Sequence, residues 1–204
     1  MTWLTTVPMT HPAFTEGRWH DAAWQHHAVM SLFGDLGAGP QARSHGEILF
    51  RVEPHITLPE GNQGRVLVQS DVQPAVEGLR TRPLAPVFAA YQAGRTARLL
   101  LVANTVRTIN RTGPDGSARQ HRARIPDEQL EGWLKDRLEG AATPFGHIQA
   151  RPGQTRRGRA QIITTTYASD ATIVDAERLV ALCLSGIGRA KAYGCGLLTA
   201  LPGR

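Results

Sequence analysis

The stretch Gly186-Ile187-Gly188-Arg189-Ala190-Lys191-Ala192-Tyr193-Gly194-Cys195-Gly196, followed by Leu197-Leu198, constrains the fold more than any other part of this chain. Two Gly-apolar-Gly clamps bracket five residues, and glycine takes positive φ without steric cost. The backbone is expected to turn sharply at each clamp and leave as an apolar strand. Arg189 and Lys191 lie between the clamps, so two cations stand beside glycine amides, an arrangement suited to a phosphate chain. The plainer reading is a helix-to-strand turn that needs glycine only for its shape. Lys191 stands where a dinucleotide fingerprint would continue from Gly188 to a third glycine, and no Gly-Lys-Ser/Thr occurs. Both of those phosphate-binding motifs are excluded.

Charge points the same way. The net charge is +6 with a pI near 10.1, and Lys135 and Lys191 are the only lysines, so the excess is arginine. A guanidinium fork bonds two phosphate oxygens at once, which favours a polyanionic partner such as a nucleic acid over a small neutral substrate. Cys183 and Cys195 form neither a Cys-x-x-Cys nor a disulfide framework, which fits a reducing compartment. The apolar run at 99–103 is too short to cross a bilayer, so the expectation is a cytoplasmic protein without a membrane partner.

Periodicity predicts a strand over 3–9, a helix over 21–33 capped by Asp21 and stopped by Gly34, and strands over 47–53 and 65–70 around a loop at 54–64. A linking segment over 72–79 and a fourth strand over 85–91 complete a β-α-β-β-α-β order. Gly94 is the expected boundary. Beyond it, 96–103 is the most apolar strand, 105–111 and 119–125 read as a hairpin over Gly113-Pro114-Asp115-Gly116, and 127–138 is a helix between Pro126 and Gly140. Strands over 145–151 and 160–169 flank a basic tip. A helix over 176–184, the glycine stretch and a strand over 196–201 close the chain. The expected fold is α+β, with two tandem ferredoxin-like domains at 1–93 and 94–204.

His26 falls on the apolar stripe of the first helix with Ala22, Val29, Met30 and Phe33, while His27 is turned away by about 100°. Periodicity alone reads His26 as a half-buried core histidine. Four arginines, Arg151, Arg156, Arg157 and Arg159, crowd nine residues between two strands, and Arg107, Arg111, Arg119, Arg122 and Arg124 form a second cluster. His55-Ile56-Thr57 is half of a two-histidine phosphodiesterase signature. Its partner is missing, since His121 is followed by Arg122-Ala123 and His147 by Ile148-Gln149.

The glycine stretch resembles the C-terminal glycine-rich loop of the RAMP superfamily of CRISPR-associated RNA-binding proteins. The form GIGRAKAYGCGLL is most similar to the CasE family, the endoribonuclease subunit of type I-E Cascade complexes. Leu101-Val102-Ala103-Asn104 ends like that family's "RAN" segment. In that family the catalytic histidine lies on the first helix, seven residues before the Phe of a Leu-Phe pair; Leu32-Phe33 then implies His26.

The resemblance implies cleavage of CRISPR repeat RNA without a metal or other cofactor, by attack of a ribose 2′-hydroxyl on the adjacent phosphorus. The cut is expected at the 3′ base of a stem-loop, and the product is expected to stay bound within a Cascade-like assembly. His26 would move a proton, since imidazole titrates near neutrality, and Lys191 would stabilise the phosphorane. RNA would be held by Arg122, Arg124, Arg151, Arg156, Arg157, Arg159 and Arg189, and by the loop of Gly186, Gly188, Gly194 and Gly196. No convincing carboxylate cluster for a metal is present. One position departs from the pattern: Ala23 stands where some members carry a tyrosine, leaving Tyr193 or His27 as substitutes. The alternative reading is a non-catalytic crRNA-binding subunit of the same fold.

Overall fold

The computed structural model describes residues 1–14, 16–34, 47–53, 64–112 and 118–203. The loop at 54–63 with His55-Ile56-Thr57, and the turn at 113–117, lie outside them.

Strands β1 (Trp3–Pro8), β2 (Leu49–Glu53), β3 (Arg65–Ser70) and β4 (Arg80–Pro83) form one antiparallel sheet in the order β2-β3-β1-β4. Helix α1 (Ala22–Met30) crosses over between β1 and β2. Its start is fixed by the Asp21 carboxylate, which accepts from the Ala23 and Trp24 amides at 2.9 and 3.3 Å, leaving fewer orphan donors in the first turn. The helix ends at Met30, before Gly34. Val29, Leu32, Phe14, Phe50 and Val68 pack the core between helix and sheet.

The second half repeats the order. Strands β5 (Thr96–Ala103), β8 (Ala142–Arg157), β9 (Ala160–Ile173) and β10 (Leu198–Pro202) make a sheet ordered β10-β5-β9-β8. Helices α3 (Leu130–Leu138) and α4 (Ala176–Ser185) are its crossovers. Within each half the strands stand second-third-first-fourth, the ferredoxin-like arrangement. Between β5 and α3 the chain makes a separate two-stranded ribbon, β6 (Val106–Thr112) and β7 (Ala118–Arg124).

Two expectations are corrected. Residues 85–91 are not the fourth strand: Ala85–Ala89 is a short helix, α2, with proline in its first turn, a position that needs no N–H. The fourth strand is β4, an edge strand of Arg-Thr-Arg-Pro with little buried, so no apolar alternation marks it. Residues 71–79 replace the second crossover helix with turns, and Val72, Val76 and Leu79 still pack against the core.

The second correction concerns the basic tip. β8 and β9 pair from Ala142–Ile173 to Arg157–Ala160, with one register shift between Phe145 and Gln149, leaving only Gly158 and Arg159 in the turn. Arg151, Arg156 and Arg157 therefore belong to a strand, where neighbours face opposite sides. The hairpin reaches the other half: the Arg156 amide and the Thr155 hydroxyl both donate to the His20 carbonyl, at 3.1 and 3.0 Å.

A third apolar cluster, Leu4, Leu49, Leu67 and Leu84 with Leu197, joins the first sheet to the strand that follows the glycine stretch. Beside it, buried Arg51 spans the junction, donating to the Leu100 and Leu197 carbonyls and to Thr199 while pairing with Glu53. Among the described residues no helix is long and apolar enough to cross a membrane.

Candidate functional site

All four glycines of the clamps have positive φ, from 71° at Gly186 to 92° at Gly196. A Cβ on Gly186 would lie 2.8 Å from Leu49 Cδ1, and one on Gly196 would lie 3.0 Å from the Ile187 carbonyl oxygen. The Gly186 amide donates to Leu182 and the Gly196 amide to Val102. These two amides serve the fold and are not the bare phosphate donors that the sequence suggested. Only the exposed corner at Gly188 and Arg189 leaves the protein surface.

Beyond that corner Ala190 takes a left-handed conformation, and Lys191–Tyr193 forms a single 3-10 turn. The turn packs on α1. The Tyr193 ring meets the His26 imidazole edge-on with centroids 6.4 Å apart, and His27 lies 5.7 Å from His26 on the same helix. The helix buries Ala22, Gln25, Ala28 and Val29, so His26 lies on the flank of the apolar stripe, half-buried against the glycine stretch. Its Nδ1 is shut off from solvent. Gln25 fixes this approach: its amide nitrogen donates to the Trp19 carbonyl, while its oxygen stands next to Gly194, where a Cβ would lie 3.4 Å away.

Tyr193 also carries Arg157, whose guanidinium carbon is 5.1 Å from the ring centroid, a cation–π distance. Here the three basic segments meet. Arg122 from β7, Arg157 from the end of β8 and Arg189 from the glycine stretch line one cleft of about 370 Å³, walled by Val106, Ile162 and Ile163 and bounded by Tyr193. Among the described residues none of these three guanidiniums has a carboxylate partner, whereas Arg124 pairs with Asp127 at 2.5 Å and Arg98 with Asp170 at 3.1 Å. Unneutralised arginines around a concave surface focus positive potential into it.

The remaining expected contacts lie elsewhere. Arg151 lines a separate cavity with Asp127 and Glu131, Arg124 is held by its ion pair, and Arg107 bonds Gln129. Arg156 has backbone pairing with the start of α1, and Arg159 is exposed in the turn. Lys191 donates to the Ser185 carbonyl at 2.5 Å, at the C-terminal end of α4, where a cation is favoured. No group of three or more His, Cys, Asp or Glu arranged to hold a metal occurs among the described residues. Ile162, Ile163 and Gln161 were missed by the sequence reading, since nothing in an alternating strand tells which side faces a cleft.

A family model described as "CRISPR associated protein" matches residues 2–202. The chain is 33% identical over 168 residues to the CRISPR system Cascade subunit CasE of Escherichia coli K12, covering 76% of this chain and 82% of that protein. It is 26% identical over 174 residues to the CRISPR-associated endoribonuclease Cse3 of Thermus thermophilus, covering 76% and 80%. The crystal structure of the CRISPR-associated protein Cas6e from E. coli K-12 is similar over 99% of this chain and 100% of that one, with a TM-score of 0.71 and 26% identity.

Proposed function

The chain belongs to the CRISPR-associated protein family, and from that premise we propose that it is the endoribonuclease that matures CRISPR repeat RNA and stays with the product as a Cascade subunit. The observation that carries this reading is the convergence of Arg122, Arg157 and Arg189 on one cleft beside Tyr193, whose ring also meets His26. A stem of A-form RNA hides its base edges in a deep groove, so phosphate geometry is what such arginines grip. Residues 1–93 then act as the domain that carries the histidine, and residues 94–204 as the domain that carries the cleft. Two buried free thiols suit a cytoplasmic site of action.

The chemistry proceeds by transfer of the 2′-hydroxyl proton to a base as the 2′-oxygen bonds to the adjacent phosphorus. The bond from phosphorus to the 5′-oxygen breaks, and an acid protonates that oxygen. The products are a 2′,3′-cyclic phosphate and a 5′-hydroxyl. His26 supplies one proton transfer and the Tyr193 phenol is our candidate for the other. Arg189 stabilises charge on the phosphorane, joined by Lys191 once RNA draws its ammonium off the Ser185 carbonyl.

That same Lys191–Ser185 bond favours the second reading, a subunit that holds RNA without cutting it. His26→Ala separates the two. Cleavage of a repeat hairpin is expected to fall by about 10²- to 10⁴-fold, the usual worth of a positioned proton-transfer group, while hairpin affinity holds. Equal cleavage by both proteins would remove His26 from the reaction.

A further inference from the structure

The cleft at Arg122, Arg157 and Arg189 has two kinds of wall. Three guanidiniums, free of carboxylate partners among the described residues, stand at its rim. Between them Val106, Ile162, Ile163 and the Tyr193 ring give a half-buried apolar surface. A site for phosphate alone has no use for that surface, and a site for an apolar ligand has none for three cations. Its volume, about 370 Å³, falls in the lower range of small-ligand pockets.

We infer that this cleft is a subsite for one unpaired nucleotide, its base on the apolar wall and its phosphate among the three arginines. The inference rests on the reading of the chain as an RNA-binding nuclease and adds to it. Bases inside a stem are stacked and paired, so the apolar wall can take only a base outside the stem. Tyr193 borders both this cleft and His26, which places the captured nucleotide next to the bond that is cut. Asn104 and Gln161 edge the cleft with amide groups. The Asn104 amide nitrogen gives one hydrogen to the Ile163 carbonyl at 2.6 Å, leaving its second N–H as a donor and its oxygen as an acceptor for a base. Capture of a neighbouring base would hold the scissile phosphate in line, a positioning effect rather than a proton transfer.

The test walks a single abasic substitution through the unpaired nucleotides on either side of a repeat hairpin that carries a 2′-deoxy block at the cut, and measures affinity for the full chain. One position is expected to weaken binding by about 5- to 100-fold, the range for one stacked base. Val106→Trp, which fills the cleft, is expected to erase that difference between intact and abasic RNA. Equal affinity at every position overturns the subsite, as does an abasic penalty that survives Val106→Trp in a folded protein. A parallel titration needs neither variant nor hairpin: a nucleoside 5′-monophosphate should perturb the amide resonances of Ile162 and Ile163, and ribose 5-phosphate should do so only at much higher concentration. Equal titration by both also overturns it. Cutting of the unblocked hairpin is scored separately. A base-dependent complex that never cuts leaves the subsite standing and removes the nuclease reading, and cutting without any abasic penalty does the reverse.

Discussion

His26 illustrates what one residue's surroundings add to its place in a sequence. Helical spacing put it on the apolar stripe with Ala22, Val29, Met30 and Phe33; Ala22, Val29 and Phe33 are buried, whereas His26 is only half-buried. The difference arises because the glycine stretch packs along one flank of α1, and a partner 167 residues away leaves no trace in local periodicity. The resemblance in the sequence, not its spacing, singled His26 out. Tyr193 completes the pair from that flank. Replacing Tyr193 by Phe keeps the ring that Arg157 covers and removes only the phenol. Cleavage of a repeat hairpin should slow by about 10²- to 10⁴-fold, with hairpin affinity unchanged. An unchanged rate would leave the second proton transfer to another group such as His27.

Elements explain which arginines matter. The sequence presented the cations as two runs and a loop, but strand alternation and pairing sort them one by one. β8 runs on to Arg157 because its pairing with β9 holds to the two-residue turn at Gly158 and Arg159, so a run read as a loop becomes an ordered arm. Among the described residues, Arg122, Arg157 and Arg189 are the arginines that reach the cleft, from three separate elements, while Arg124 is neutralised by Asp127. Changing all three to Ala should weaken hairpin binding and reduce the slope of log affinity against log salt by about 2 to 3, close to one per lost phosphate contact. An equal change made at Arg98, Arg124 and Arg178, which have carboxylate partners, should move the slope less. Strands with strong apolar signals, β3 and β5, were readable to the residue. The polar edge strand β4 was not, because an edge in solvent needs no apolar face.

At the scale of the whole molecule, the two four-stranded ferredoxin-like halves were readable, but the turns that replace a crossover helix at 71–79 and the junction between the halves were not. That junction depends on Arg51, which lies in an ordinary-looking strand and reaches carbonyls 49 and 146 residues away. Burial pushes the Glu53 carboxyl up, but its bonds to Arg51 and Arg65 outweigh this and hold it below the usual glutamate range. A depressed carboxyl stabilises the fold above its unfolded pKa, about 4.3, and the contribution fades as pH falls through the folded value. Thermal melts from pH 7 to 3 should therefore show stability lost below about pH 4.3, with a shallower loss in Glu53→Gln. The same junction seats Leu197 on the first sheet, while the turn at Lys191–Tyr193 packs on the helix that carries His26, so in the proposed reaction RNA cutting needs the two halves together. The most direct test of that claim is incubation of the chain in EDTA with a labelled repeat hairpin, all-ribose or carrying one 2′-deoxy at the scissile nucleotide. Only the all-ribose strand is expected to be cut, leaving a 2′,3′-cyclic phosphate. Cutting of the deoxy strand, or tight binding with no cutting of either, would contradict that claim.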